Sequence, residues 1–466
     1  MNNTTGKLSF LEKLGYSVGD TASNLFFQTF ILFLTYFYTD VFGISAGAVA
    51  TIFLVGRIWD AVNDPLMGMI ADRTNTRFGK FRPYLLYGAL PFGILGFLMF
   101  ITPNLSPTGK AVYAFITYNL MMMAYTVINV PYSALMGVIT PNPDERTVVS
   151  SYRFVAAFAG LFIVQFSVLR LVRAFGGGNE QLGWQWAMTA LAALAVVLFW
   201  VTFATTKERV TPPPGQKTPL LQDLSDLLRN RPWLLIGSAT VFQLIFIVIR
   251  SSSIMYYFKY FVQNQQVTLL GRTYDLSFET LASTFMLSGT LVTVVGALVA
   301  SKLSKMLGKP NCYYGGLGLA AICSALFYVL SPRDLALMFV LQLIASFAWG
   351  PVSVLQWAMY TDTADYSEWK TGRRATGLIM AASLFALKLG IALGGALMAW
   401  LLDFHGFKPN VEQTTAGLLG IKLLMSIYPA VAGAMGCVLM LFYPLNNKML
   451  VQIAQDLLAR RQQNSE

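Results

Sequence analysis

The chain has 466 residues, of which 55% are hydrophobic and only 12% charged, and its mean hydropathy is +0.57. A soluble protein carries about 25% charged residues, so a water-facing fold is excluded and a polytopic membrane protein is expected. The net charge of +11 then reads as loop charge that sets orientation, not as a nucleic-acid footprint.

The first residues, MNNTTGKLSFLEK, contain an acid and no cleavage pattern, so the first helix is expected to be an uncleaved span. A span needs roughly 20 apolar residues. Twelve candidates are centred near residues 30, 55, 92, 122, 163, 194, 245, 288, 320, 345, 389 and 431. The second, IFLVGRIWDAVNDPLMGMI over 52–70, holds Arg57, Asp60 and Asp64. Charges at membrane depth cost several kcal/mol and face a cavity or a partner. Spacings of three and four residues put all three on one helical face. Two carboxylates and one guanidinium make a net negative site that attracts a small cation or a proton, which points to an ion-coupled carrier.

Residues 206–232 are polar and Pro-rich, then place Leu220, Leu221, Leu224, Leu227 and Leu228 at helical spacing. An amphipathic helix on the membrane surface is expected there. In the second set of spans, Arg250 precedes three serines and is a further buried charge. Cys312, Cys323 and Cys437 show no metal spacing, and His405 is the only histidine, so no His-based metal site is possible. DTADYSEWKTGRRATG, 362–377, mixes both signs beside the tenth and eleventh spans. It reads either as part of a gate, with Asp365 and Arg373 in breakable ion pairs, or as a solvated loop. Lys388, in SLFALKLGIALGG, is too deep to snorkel and is expected to reach the acids of the first half or an anionic group on a substrate. Most of the 33 Lys and Arg residues fall on the side of the two termini, which predicts cytoplasmic termini.

Two sets of six spans around a polar loop resemble the plan of the major facilitator superfamily, an all-α membrane fold of twelve helices whose halves rock around a midplane site. On that plan 1–205 and 233–445 are the six-helix halves, 206–232 the cytoplasmic central loop and 446–466 a cytoplasmic tail. GMIADRTNTRFGKFRP, 68–83, resembles the superfamily signature between spans two and three. Gly68 would permit close helix packing, and Asp72 and Arg73 would serve gating. GALVASKLSKMLGK, 296–309, takes the equivalent place without the acid.

RIWDAVNDPLMG, GKFRP, NVPYSALMGVIT with NPDER, and DTADYSEWKTGRRATG occur in order over nearly the whole chain. Together they resemble the glycoside–pentoside–hexuronide:cation symporter family, the sugar carriers that include the melibiose permease. RFVAAFAG, FATTKERV and LQW bring the chain nearest to its xyloside and glucuronide permeases. The resemblance implies a sugar symporter of the bacterial inner membrane, a monomer by default, with a sugar, a coupling cation and the lipid bilayer as partners. It implies no cofactor and no nucleic acid.

By the same resemblance the cation-site carboxylates fall on Asp60 and Asp64, beside Arg57, with Thr126 and Asn129 in the same set. Family acids of the fourth and first spans fall on Asn129 and Asn24, which removes charge and keeps amides. That speaks against sodium at Asp60 and Asp64, since a hard cation loses ligand charge there. A proton needs one carboxylate of suitable pKa, so H+ is favoured over Na+. Arg153 and Lys388 match family basic residues. Asn24, Asn129, Gln356 and Trp357 complete a sugar site of polar partners and an aromatic face, with Tyr132 and Arg250 as further candidates. No phosphate loop, nucleophile elbow or metal cluster competes, so ATP does not drive the protein and no catalytic residue is expected. A lysolipid carrier and a membrane enzyme acting on a lipid-linked sugar are the alternatives of other classes.

Overall fold

Short polar side chains start seven of the helices, satisfying N–H groups that the first turn leaves orphaned. The computed structural model describes residues 8–140, 143–209, 227–269, 272–372 and 376–463. Its first half contains α1 (Phe10–Leu32), α2 (Ala46–Arg73), α3 (Arg82–Met99), α4 (Pro107–Ile139), α5 (Pro143–Gly176) and α6 (Glu180–Thr205). Its second half contains α7 (Arg231–Tyr256), α8 (Phe278–Leu307), α9 (Lys309–Leu326), α10 (Leu335–Thr371), α11 (Thr376–Phe404), α12 (Thr415–Met425), α13 (Ile427–Leu441) and α14 (Asn447–Gln463). Ser9, Ser45, Ser106 and Asn179 cap α1, α2, α4 and α6, and Asn230, Ser277 and Thr414 cap α7, α8 and α12. Among the described residues nine helices are long and apolar enough to cross a membrane. There are up to ten if Phe10–Leu32 and Leu34–Phe42, bent by 59°, form one span. Each of the sequence-derived centres lies inside a helix.

The chain divides into two compact units, Met1–Gly215 and Gln216–Glu466. In the first, α1 packs on α5 and α6, α2 on α4, and α3 on α4 and α6. In the second, α7 packs on α11 and α13, α8 on α10, and α9 on α10 and α13. These five pairings of the second unit match those of the first, with α7 in the place of α1, α8 of α2, α9 of α3, α10 of α4, α11 of α5 and α13 of α6.

Small residues allow the close crossings, as in other membrane bundles. A Cβ on Gly160, the last residue of RFVAAFAG, would stand 2.7 Å from Asn24 Cβ and 2.9 Å from the Thr21 carbonyl, so α5 can approach α1 this closely only with glycine there. Among the described residues a Cβ on Gly68 would meet Val130 Cγ1 at 3.9 Å, an ordinary contact.

The spans α1 and α7 end alike. A π-helical turn covers Phe37–Phe42 after α1 and Tyr257–Val262 after α7. Gly43 N–H bonds the Tyr38 carbonyl at 3.0 Å, and Gln263 N–H bonds the Phe258 carbonyl at 2.7 Å. Aromatic rings hold both turns. Phe37 lies 4.6 Å from Phe100 and 5.7 Å from Trp184, and Tyr257 lies 5.0 Å from Phe261.

Two features depart from expectation. An antiparallel hairpin, β1 (Gln265–Leu269) with β2 (Arg272–Leu276), interrupts the all-α plan, because Val267, Thr268, Thr273 and Tyr274 favour strand where they pair. In the central loop, residues 210–226, with Leu220, Leu221 and Leu224, lie outside the described residues. Leu227 is buried against Ala364 and Ile379 of its own unit instead of lying on a surface, while Leu228 is exposed.

Glu208, in FATTKERV, ties the end of α6 to the start of α3. Its carboxylate accepts the backbone N–H groups of Lys80, Phe81 and Arg82 at 2.8, 2.7 and 3.0 Å. The neighbouring Arg209 pairs with Glu12 of α1 at 2.6 Å. Glu208→Ala orphans three N–H donors at a helix start and is expected to cost about 1–3 kcal/mol. Thermal unfolding of the detergent-purified protein measures it, and an unchanged midpoint would show that water replaces the carboxylate fully.

Candidate functional site

The first unit collects its polar groups on α1, α2, α4 and α5. Asp20 of α1 and Arg153 of α5 form a bidentate pair, Nε to Oδ2 at 2.5 Å and Nη2 to Oδ1 at 3.0 Å. Tyr132 donates its hydroxyl to the same carboxylate at 2.7 Å, and Tyr16 donates to the Tyr132 carbonyl at 2.9 Å. The two tyrosine rings stack at 4.8 Å, and the Arg153 guanidinium lies 4.9 Å over Tyr132. Pro131 inside α4 removes one helical N–H beside this network. The pair is half-buried, with side-chain exposures of 25% for Arg153 and 15% for Asp20.

Asp20 is the residue that sequence reading passed over. The same span carries a carboxylate one helical turn before Asn24. Asn24 itself donates to the Asp20 carbonyl at 2.8 Å and accepts from Gln28 at 3.1 Å. The signal available was the helical spacing of Asp20 and Asn24 in GDTASNL, the same criterion that singled out α2.

On α2, Asp64 accepts a hydrogen bond from Thr126 of α4 at 2.9 Å, which brings two of the cation-site candidates together. Beside it, the Asn63 amide nitrogen is buried with no hydrogen-bond partner, a donor that sequence reading also missed. Asn129 accepts from Ser23 at 2.7 Å and donates to the Tyr125 carbonyl at 3.0 Å, so its amide already bridges α1 and α4. The side chains of Arg57, Asp60 and Asp72 and all of Arg373 lie outside the described residues. Arg73 is exposed at the end of α2.

The second unit joins two buried amides. Gln356 of α10 is buried and accepts from Gln243 of α7 at 2.8 Å, and Gln243 in turn accepts from Tyr313 of α9. The Gln356 amide nitrogen has no partner. Trp357 is half-buried, 6.1 Å from Tyr360, whose hydroxyl donates to Thr240 at 2.6 Å. Lys388 is exposed on α11. The Arg250 guanidinium lies 5.4 Å from the centre of the Phe327 ring and 6.0 Å from that of Phe285. In the 362–377 segment, Asp362 pairs with Lys309 at 2.7 Å, a bond inside one unit, and Asp365 is half-buried on the same helix.

Among the described residues no group of three His, Cys, Asp or Glu side chains could hold a metal ion. The arrangement suits reversible proton or cation binding beside neutral and charged hydrogen-bonding groups.

Comparison with known proteins agrees with this geometry. Residues 15–447 match the family described as MFS/sugar transport protein. The chain is 39% identical to the inner membrane symporter YicJ of Escherichia coli (strain K12), over 97% of this chain and 95% of YicJ. It is 34% identical to the isoprimeverose transporter of Lactiplantibacillus pentosus, over 95% of this chain and 91% of the relative. The fold resembles the crystal structure of a bacterial homolog of the human lysosomal transporter Spinster, with a TM-score of 0.66 at 13% identity over 95% of this chain and 97% of that one. The chain therefore belongs to the glycoside–pentoside–hexuronide:cation symporter family of the major facilitator superfamily, a family of membrane carriers and not of enzymes.

Proposed function

We propose that the protein imports a sugar (a glycoside, pentoside or hexuronide) together with a proton, by alternating access. The observation that carries this reading is a carboxylate on a long helix of the membrane domain, Asp64, held by the Thr126 hydroxyl of a second helix. Asp64 takes the proton, with Asp60 as its partner on the same face. Asp20, Arg153, Asn24, Asn129 and Tyr132 serve the sugar hydroxyls in the first unit, and Gln356, Trp357 and Lys388 serve the sugar in the second. Bidentate charged partners and an aromatic face are what a polyol with C–H surfaces requires. The names of the two relatives, a symporter and an isoprimeverose transporter, support the class. On this reading α2 and α3 join the other candidates to give twelve spans in a monomer of the bacterial inner membrane with cytoplasmic termini. Asp72, Arg73, Asp365 and Arg373 serve gating.

Sodium is the second reading. The Thr126 hydroxyl oxygen lies 2.9 Å from Asp64 Oδ1, and both are hard oxygen ligands of the kind sodium uses. Proteoliposomes separate the two. Counterflow against a panel of glycosides, pentosides and uronides names the sugar, and uphill uptake with pH and sodium gradients imposed separately names the ion. Uptake driven by a pH gradient alone is expected. Uptake that needs sodium and ignores pH would replace the proton, and no movement of any panel sugar would defeat the sugar reading.

A further inference from the structure

Arg250 is the one charged side chain of α7's apolar stretch, and its surroundings do not match its charge. It is 8% exposed. Its guanidinium carbon lies 5.4 Å from the centre of the Phe327 ring and 6.0 Å from that of Phe285. Its Nε and Nη2 donors are buried without a hydrogen-bond partner. Ser253 does not relieve them, since its hydroxyl donates to the Arg250 carbonyl, at 2.9 Å. The contrast with the first unit is direct, because Arg153 there has a bidentate carboxylate.

Two further groups lie on the same aromatic cluster. Tyr257, two helical turns beyond Arg250, has a buried hydroxyl with no partner, and its ring is 6.0 Å from Phe327. Lys422 of α12 places its ammonium 5.2 Å over Phe261 and 5.5 Å over Tyr328. No described acid pairs with Arg250 or Lys422. Asp334, just before α10, accepts from the backbone N–H and the hydroxyl of Ser331, both at 2.7 Å.

A guanidinium out of water without a counter-charge is strongly unfavourable, and ring faces return only part of the lost solvation. Two parallel N–H donors, a phenolic O–H and a second cation make a receptor for one small negative charge, and ring edges, which are positively polarised, tolerate one beside them. We propose that the second unit binds a small monovalent inorganic anion of the halide class at Arg250, with the Tyr257 hydroxyl as a further donor and Lys422 as a more distant cation. The site is separate from the carboxylates of the first unit and does not depend on the identity of the sugar.

The test uses the full-length protein in detergent, without sugar. Choline chloride or bromide is titrated into choline sulfate at matched ionic strength while thermal unfolding is followed. A saturable rise in the midpoint is expected for the wild type and none for Arg250→Gln. Tyr257→Phe and Lys422→Gln, which keep the guanidinium, are each expected to weaken the apparent affinity, Tyr257→Phe by about tenfold. They keep the proposal testable if Arg250→Gln does not fold. Bromide-soaked crystals of the wild type should show an anomalous peak at the Arg250 fork. Absence of any halide response in the wild type, an equal response in Arg250→Gln, or a bromide peak only elsewhere overturns the proposal. The same carboxylate chemistry could reach Arg250 on an acidic sugar. Stabilisation by choline glucuronate with none by chloride or bromide would assign the fork to substrate and overturn the free-anion reading.

Discussion

Asp64→Asn is expected to abolish uphill sugar accumulation while sugar-for-sugar exchange continues. Accumulation requires the ion to bind on one side and leave on the other. An amide of the same shape can hold its place against Thr126, 2.9 Å from the carboxylate oxygen, but can neither take up nor release a proton and contributes no charge to a cation. Exchange needs no net ion movement, so it should survive in a carrier whose fold the isosteric change leaves intact. The readouts are gradient-driven uptake and counterflow in the same proteoliposomes. Uphill accumulation by the mutant would remove Asp64 from coupling, and loss of both activities in folded protein would make it a sugar contact.

The second large effect is expected at Asp20 and Arg153. Asp20→Asn removes the charge from a carboxylate that accepts from Arg153 at 2.5 and 3.0 Å and from Tyr132 at 2.7 Å. A hydrogen bond to a charged group is worth about 1.5–3 kcal/mol, so sugar affinity should fall by roughly ten- to a hundredfold if the pair organises the sugar site. Arg153→Gln should do the same. The double mutant should be little worse than either single one, because residues in one network are not additive. Additive losses would mean that the two side chains act separately. Normal affinity in both single mutants would make the pair a purely structural tie between α1 and α5.

What sequence could show was the part governed by local composition. Span positions follow from how many apolar residues a bilayer requires, and every predicted centre falls in a helix. The α2 face was legible because its charges are three and four residues apart. Asp20 offered only its spacing to Asn24, because its partners Tyr132 and Arg153 are 112 and 133 residues away and only the packing of α1 on α4 and α5 brings them together. Arg250 was visible as a buried charge, yet its neighbours Phe285 and Phe327 come from two other segments, so its aromatic surroundings could not be read from spacing. The hairpin at 265–276 escaped because short strands outside the membrane leave a weak periodic signal beside long apolar runs. Leu227 shows the limit of an amphipathic pattern, which identifies an apolar face but not whether lipid or protein covers it.

The π-helical turns at the ends of α1 and α7 have a consequence for how these two helices divide their work. A wide turn takes in one residue more than a regular turn does, so the side chains beyond it are rotated by about 100° relative to an unbroken helix. The stretch of α1 before the turn can therefore present Asp20 and Asn24 in one direction while Phe42, at the end of the turn, stacks on Tyr113 in another. In α7 the same change of phase comes between Gln243, with its amide chain, and Phe261, whose ring lies 5.0 Å from Tyr257. Deleting one residue within either turn would put the helix back in phase and aim an aromatic side chain away from its socket, so the length of these segments, and not only their residues, is under constraint.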